Sequence, residues 1–169
     1  INNVRWAGTP FYLRTGKKMK RQLSEIAIIF KNLPHSIFDT KNSIEQNKLI
    51  ISLQPNDGIN LKTNIKDPGP GGMRITSVPL DMTFADALGS KSRDTPDAYE
   101  RLIMDVIRGD QTLFMRGDEV EEAWRWCDHV INIWQQSEQP LYIYPAGSNG
   151  PQAAHLLLHR YGYRWHDDS

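Results

Sequence analysis

The chain has 169 residues and balances 20 Lys and Arg against 20 Asp and Glu, so its formal net charge is zero. It therefore lacks the long-range positive field that attracts general nucleic-acid or anionic-membrane binders to their partners. Its single cysteine, Cys127, allows no internal disulfide, and no apolar stretch approaches the roughly 18 residues of a membrane span. We expect one cytoplasmic domain with a hydrophobic core, and neither nucleic acid nor membrane as a partner.

The first half of the chain predicts strands. Side chains alternate between apolar and polar, or follow an extended pattern, in four runs: 24–30, 48–54, 58–65 and 73–84. Pro79 in the last run indicates an edge strand or a bulge, because proline cannot donate a ladder hydrogen bond. The Pro- and Gly-rich segment 67–72 predicts a turn or a wide loop. An antiparallel sheet is the simplest arrangement of these strands.

The second half predicts helices. Thr95 as N-cap and Pro96 at the first helical position open one helix, which Gly109 ends. A capping-box pattern at Asp118 opens a second helix, and Pro151 opens a third. Because strands precede helices instead of alternating with them, we predict an α+β fold in which helices cover one face of a large antiparallel sheet.

A basic segment is the first candidate for binding chemistry. Residues 14–21 hold five cations in eight positions and no acid. Gly16 could turn the chain there, so that backbone N–H groups and the Lys17 ammonium face a phosphate or a sugar hydroxyl. Composition alone favours a solvated basic turn, since charge runs usually face water. RNA binding is less favoured, because no aromatic ladder is interleaved with the cations.

Metal and nucleotide motifs are incomplete. His155 and His159 supply half of a zinc-binding helix face, but no Glu follows His155 as hydrolytic zinc motifs require. On a helix, Cys127 and His129 point about 200° apart, and Cys127 falls on the apolar stripe as an expected inert core thiol. No glycine motif for a nucleotide and no catalytic pair can be identified. We therefore expect no metal and name no catalytic residue.

Five motifs in order resemble a known family. They are 6–17 (WAGTPFYLRTGK), 53–55 (LQP), 97–102 (DAYERL), 118–124 (DEVEEAW) and 144–151 (YPAGSNGP). Together they are similar to the C-terminal part of bacterial glucose-6-phosphate dehydrogenase, and the resemblance covers essentially the whole chain. The chain begins with Ile1, and no signal peptide explains the missing Met, so a fragment of such an enzyme is expected.

The resemblance implies an activity for the complete protein. The family oxidises glucose 6-phosphate to 6-phosphoglucono-lactone and reduces NADP, or in some bacteria also NAD, in the pentose phosphate pathway. Residues 1–169 would form a partial C-terminal substrate-binding and oligomerisation domain. The N-terminal dinucleotide-binding domain and the general-base His lie upstream in the family, so the chain alone is expected to be inactive. The alternative is a free-standing, non-catalytic sugar-phosphate-binding or assembly module.

The resemblance also implies substrate contacts. Lys17 matches the family lysine that reaches the sugar phosphate. Five residues later the family usually has a second Lys or Arg, but this chain has Gln22, which either keeps a weaker hydrogen bond or leaves the charge to Arg21 or Lys20. Gln54 matches a position near the sugar, although a polar residue at a strand end explains it equally well.

A cofactor contact and an assembly follow from the same resemblance. Arg14 matches a basic position with which mammalian members hold a second, structural NADP. The downstream positions Leu23, Ala27 and Ser52 offer no charge for its phosphate, so a second NADP is not expected. NADP is expected to be bound mainly by the upstream domain, with Arg14 as the candidate cofactor contact of this chain. The family sheet forms a dimer interface, and a homodimer or homotetramer through the sheet is expected.

Overall fold

The computed structural model describes residues 3–33, 35, 44–72, 74–89, 96–138 and 140–166. Within these ranges, four strands precede four helices. The strands are β1 (Ser24–Ile29), β2 (Lys48–Gln54), β3 (Gly58–Lys66) and β4 (Ile75–Thr83). The helices are α1 (Phe84–Leu88), α2 (Ala98–Arg108), α3 (Gly117–Gln136) and α4 (Gln152–His159). The predicted α+β class is confirmed.

The four strands form one antiparallel sheet in the order β1-β2-β3-β4. Pro79 lies in β4, at an edge of this sheet, which confirms the edge position expected for a proline. The loop between β3 and β4 is closed by Asp67, whose amide donates to the Arg74 carbonyl at 2.8 Å and whose carboxylate pairs with the Arg74 guanidinium at 2.9 Å. The turn or wide loop predicted at 67–72 is therefore a loop whose two ends, Asp67 and Arg74, are hydrogen-bonded to each other.

The register separates apolar from polar side chains. Directly opposed residues point to the same side of a sheet, so the pairing defines one face, which we call the apolar sheet face. Its members are Ile26, Ile28, Leu49, Ile51, Ile59, Leu61, Leu80 and Met82. The opposite face carries polar contacts such as Lys62 Nζ to Glu45 Oε2 at 2.6 Å and Asn64 Nδ2 to Asn47 Oδ1 at 2.8 Å.

The start of α2 differs from the prediction. Asp97 caps α2, because its carboxylate accepts from the Ala98 amide at 2.8 Å; Pro96 therefore precedes the helix and is not its first residue. The predicted cap Thr95 lies outside the described residues. The end of α2 at Gly109 is confirmed, with a left-handed φ of 72°.

The start of α3 lies before the predicted cap. Asp118 is inside the first turn, where its carboxylate pairs with the Arg116 guanidinium at 2.5 Å. The Arg116 amide donates instead to the Glu119 carboxylate at 3.2 Å. The acid three residues after the N-cap is thus Glu119, because the helix begins at Gly117.

The expected hydrophobic core is not closed within the described residues. Leu158 is the one apolar side chain there that is buried, and Cys127 is half-buried, not a core thiol. Contact between helices and sheet is concentrated where α1 follows β4. Trp124 and Trp134 on α3 remain 57% and 67% exposed. The apolar stripes of the helices are present as predicted, but in the described residues they are largely exposed.

Candidate functional site

The basic segment 14–21 lies in a loop that leads into β1. The Lys17 side chain is exposed on this loop. The next residue, Lys18, has a backbone φ of 52°, which is a left-handed conformation that residues with a Cβ seldom adopt. Such a backbone needs support from its surroundings.

The support comes from loop 144–150, which precedes α4. The Lys20 amide donates to the Ser148 carbonyl at 3.0 Å, and the Gly147 amide donates to the Lys18 carbonyl at 2.8 Å. Bonds therefore run in both directions between two loops that are far apart in sequence. They hold the backbone on the C-terminal side of Lys17.

A third bond reaches Lys17 itself. The Tyr144 hydroxyl donates to the Lys17 carbonyl at 2.8 Å. A Cβ on the neighbouring Gly16 would lie 2.9 Å from the Tyr144 hydroxyl oxygen and 3.0 Å from the Met19 sulfur. Glycine at position 16 is therefore what allows Tyr144 to approach this loop so closely.

The C-terminal segment contacts the other end of the basic segment. The Arg14 guanidinium carbon lies 4.5 Å from the centre of the Trp165 ring, a cation–π geometry, and Arg14 Nη1 donates to the Asn149 carbonyl at 3.5 Å. The indole is itself held, since Trp165 Nε1 donates to the Ala154 carbonyl in α4 at 3.2 Å.

Tyr12 belongs to the same aromatic cluster. Its ring centre lies 5.6 Å from that of Tyr163 and 6.4 Å from that of Trp165. Desolvation of the hydroxyl and, to a smaller extent, the neighbouring Tyr163 and Tyr161 raise the pKa of Tyr12. These rings attach the strand-like segment before Arg14 to the C-terminal segment.

The residue after Trp165 makes a second attachment. The His166 imidazole pairs with the Glu25 carboxylate in β1, and both side chains are about three-quarters buried. Two consecutive C-terminal residues therefore contact the chain on both sides of the stretch that contains Lys17 and Gln22.

The sheet register brings the two glutamines toward one end of the sheet. Gln54, the last residue of β2, pairs with Ser24, which comes two residues after Gln22. Both glutamine side chains are exposed. Gln22 and Gln54 therefore lie near the start of β1, whereas Lys17 lies further back in the exposed loop that precedes this strand.

Arg14 is the candidate cofactor contact of this chain. Its guanidinium contacts an indole and a backbone carbonyl, as described above. Leu23 is exposed before β1, while Ala27 pairs with Ile50 and Ser52 pairs with Glu25 in the ladder. The side chains of Leu23, Ala27 and Ser52 carry no charge, and the register places Glu25 opposite Ser52.

The described ranges contain neither a metal-binding cluster nor a membrane-spanning helix. No group of three or more His, Cys, Asp or Glu side chains there is arranged to hold a metal ion. His155 and His159 both lie on α4. None of the described helices combines the length and the hydrophobicity needed to cross a bilayer.

Sequence reasoning missed the residues that hold the basic loop. Tyr144 belongs to the motif 144–151, which indicated the family but no contact with the basic segment. Trp165 and His166 carry no local signal, because their contacts reach residues more than 140 positions away. The positive φ of Lys18 likewise follows from tertiary contacts and not from residue type.

Comparison with known proteins now identifies the domain. The family model described as glucose-6-phosphate dehydrogenase, C-terminal domain, matches residues 1–166. Glucose-6-phosphate 1-dehydrogenase of Rhizobium meliloti (strain 1021) is 53% identical over 168 residues, covering 99% of this chain and 34% of the relative. The enzyme of the same name from Mycolicibacterium smegmatis is 50% identical, covering 98% of this chain and 33% of the relative.

Solved structures give the same result. Glucose-6-phosphate 1-dehydrogenase from Mycobacterium avium matches with a TM-score of 0.73 and 30% identity, over 98% of this chain and 33% of that one. A structure described as glucose-6-phosphate dehydrogenase in complex with its substrate matches with a TM-score of 0.72 and 31% identity, over 89% of this chain and 30% of that one. The chain thus spans about a third of the length of these relatives. It belongs to the glucose-6-phosphate dehydrogenase family, as a representative of its C-terminal domain.

Proposed function

We propose that this chain is the C-terminal part of a glucose-6-phosphate dehydrogenase, which oxidises glucose 6-phosphate to 6-phosphoglucono-lactone and reduces NADP in the cytoplasm. The family match over residues 1–166 carries the proposal. A free-standing binding module is less favoured, because the relatives have this region as about a third of a longer enzyme. In that enzyme the present chain supplies part of the substrate wall, and the upstream part supplies the base and the main NADP site.

Lys17 is the proposed phosphate contact. Its ammonium is exposed on a loop whose backbone is held on both sides, so the side chain can reach a ligand without reordering the loop. An ammonium donating to a phosphate oxygen makes a charge-assisted hydrogen bond, which is about twice as strong as a neutral one. A relative with this fold has been solved in complex with glucose 6-phosphate, which is consistent with a sugar-phosphate site.

Gln22 and Gln54 are the proposed neutral contacts to the sugar phosphate. Each can donate and accept a hydrogen bond, and both are attached to the start of β1. Alanine at either position should raise KM for glucose 6-phosphate by about 2- to 10-fold, the effect of one neutral hydrogen bond. If Arg21 or Lys20 supplies the second charge instead, glutamine at that position will raise KM more than alanine at position 22 does.

The direct test is Lys17→Gln in the complete enzyme. Loss of a charge-assisted hydrogen bond, about 1.5–3 kcal/mol, should raise KM for glucose 6-phosphate by about 10- to 100-fold and leave KM for NADP unchanged. Lys66→Gln, at the far end of β3, is the matched control and should keep both constants. An unchanged KM for glucose 6-phosphate in Lys17→Gln would refute the assignment.

NADP reduction and assembly belong to the complete protein in this proposal. The chain alone should not reduce NADP, and measurable reduction by the pure chain would contradict the proposed division of labour. Assembly is proposed to be a homodimer or homotetramer through the sheet. Its support is the apolar sheet face, on which Ile26, Leu80 and Met82 are 49%, 58% and 47% exposed.

A further inference from the structure

We propose that Tyr144 is a positioning residue for Lys17. It acts through the hydrogen bond from its hydroxyl to the Lys17 carbonyl and touches no substrate itself. The inference rests on the proposed function, in which Lys17 contacts the sugar phosphate. The inference differs from the proposed function, because it concerns what fixes the direction of the Lys17 side chain and not what that side chain binds.

The bond acts at the peptide that follows Lys17 and limits rotation about the Lys17 ψ angle. The accepting carbonyl belongs to the peptide between Lys17 and Lys18, and the Lys18 backbone is left-handed with a φ of 52°. A left-handed residue with a Cβ costs free energy, so this peptide will turn to a commoner conformation unless contacts hold it. The Lys18 carbonyl and the Lys20 amide are held by loop 144–150, so a change in the Lys17 ψ angle that the Lys18 φ angle does not compensate turns the Lys17 Cα–Cβ bond relative to this fixed backbone.

The neighbouring contacts leave this role to Tyr144. The backbone bonds from loop 144–150 hold Lys18 and Lys20, both after Lys17. The Arg14 contacts lie three residues before it. Among the hydrogen bonds of the described residues, the one from Tyr144 is the contact made to Lys17 itself.

The Tyr144 hydroxyl occupies the space that a side chain at position 16 would need. Tyr144 is half-buried, and the absence of a side chain at Gly16 makes room for its hydroxyl at 2.9 Å from the Cβ position. Met19 closes the other side of that position at 3.0 Å. Any side chain at position 16 would displace the tyrosine, so the glycine and the tyrosine depend on each other.

Tyr144→Phe in the complete enzyme tests the role. It removes one hydroxyl and keeps the ring, so we expect KM for glucose 6-phosphate to rise about 3- to 10-fold, in the range of one lost neutral hydrogen bond. We expect kcat and KM for NADP to stay within about twofold. Tyr142→Phe is the matched control, since Tyr142 is 61% exposed in the same segment, and it should leave all three constants unchanged.

A double substitution separates positioning from general loop stability. If Tyr144 acts through Lys17, Tyr144→Phe should add no further rise in KM once Lys17→Gln is present. An independent, multiplicative rise in the double variant would overturn the inference. Gly16→Ala should reproduce the KM effect of Tyr144→Phe, because it displaces the same hydroxyl.

The outcomes distinguish this inference from the proposed function. If Lys17→Gln leaves KM unchanged, the phosphate assignment fails, whatever Tyr144 does. If Lys17→Gln raises KM while Tyr144→Phe does not, the phosphate assignment stands and the positioning role is refuted. A fall in kcat equal to the rise in KM, together with a lower unfolding temperature, would also refute it, because that pattern reports general damage.

Discussion

Arg14 joins the two ends of this chain. Its guanidinium lies over the Trp165 ring and donates to the Asn149 carbonyl, so one side chain connects the segment before Lys17 to the loop before α4 and to the C-terminal segment. The cation contacts an aromatic face and a backbone oxygen. These contacts give Arg14 a structural role in this domain.

This role predicts the effect of Arg14→Gln. Loss of a partly exposed cation–π contact should lower the free energy of unfolding of the complete enzyme by about 0.5–1 kcal/mol, measured by urea denaturation. Arg14→Lys, which keeps a cation near the ring, should restore part of the loss. A variant with unchanged stability but weaker binding of a second NADP would contradict the structural assignment.

The ion pair of Glu45 with Lys62 leads us to expect that the free energy of unfolding depends on pH through Glu45. A hydrogen bond from Lys62, followed by the charge of that lysine, holds the pKa of Glu45 below its ordinary value of 4.5. A lowered folded-state pKa stabilises the fold above the unfolded value, and this stabilisation is lost as the pH falls from 4.5 through the folded value.

Glu45→Gln should therefore destabilise the complete enzyme at pH 7, and the difference should shrink as the pH falls below 4.5. The effect should be small, because both partners of the pair are partly exposed. Urea midpoints of the parent and the variant at several pH values measure it. Glu121→Gln on α3 controls for the loss of one negative charge, and an equal pH-dependent loss there would contradict the prediction.

Helix α2 shows how its start depends on a local side-chain bond. Asp97 accepts from the Ala98 amide, and the Glu100 carboxylate accepts from the Asp97 amide at 3.2 Å. Asp97→Ala should reduce the free energy of unfolding by about 1 kcal/mol. Asp97→Ser keeps a capping oxygen and should restore most of it; equal losses in both variants would refute the capping role. Thermal or urea denaturation of the complete enzyme provides the measurement.

The strands were predicted more accurately than the helix starts. β2 has the predicted bounds, 48–54, and the other strands differ by one or two residues at their ends. Alternation of side chains is a property of the whole strand, so it survives errors at the ends. The start of α3 depends instead on which of Arg116, Asp118 and Glu119 makes which hydrogen bond, and several neighbouring acids satisfy the same pattern.

The described chain exposes more apolar surface than a stable monomer does. The apolar sheet face and the tryptophans of α3 are open, and Leu158 is the only apolar side chain of the described residues that is buried. A chain with this surface needs other protein to cover it. The remaining part of the complete enzyme and a second copy are the two sources that the proposed function offers.

A substitution on the apolar sheet face tests the second source. Leu80→Lys places a charge on that face of the edge strand β4, so it should shift the complete enzyme toward monomers in sedimentation experiments. Asp81→Lys places the same side chain on the opposite face and should leave the assembly unchanged. A parent enzyme that is monomeric at micromolar concentration, or a Leu80→Lys variant of unchanged mass, would contradict the sheet-mediated assembly.

Sequence patterns were sufficient for the fold class and the strand positions, because periodicity expresses short-range constraints. Lys17 became a candidate through the family resemblance and stays a prediction. The contacts that hold Lys17 could not be predicted from sequence patterns. Tyr144 reaches Lys17 across 127 positions, and Trp165 and His166 reach Arg14 and Glu25 across more than 140. The left-handed Lys18 is held by its bond from Gly147, which is also distant in sequence. Long-range geometry of this kind arises when the chain folds, since no local preference encodes which distant carbonyl a hydroxyl will meet.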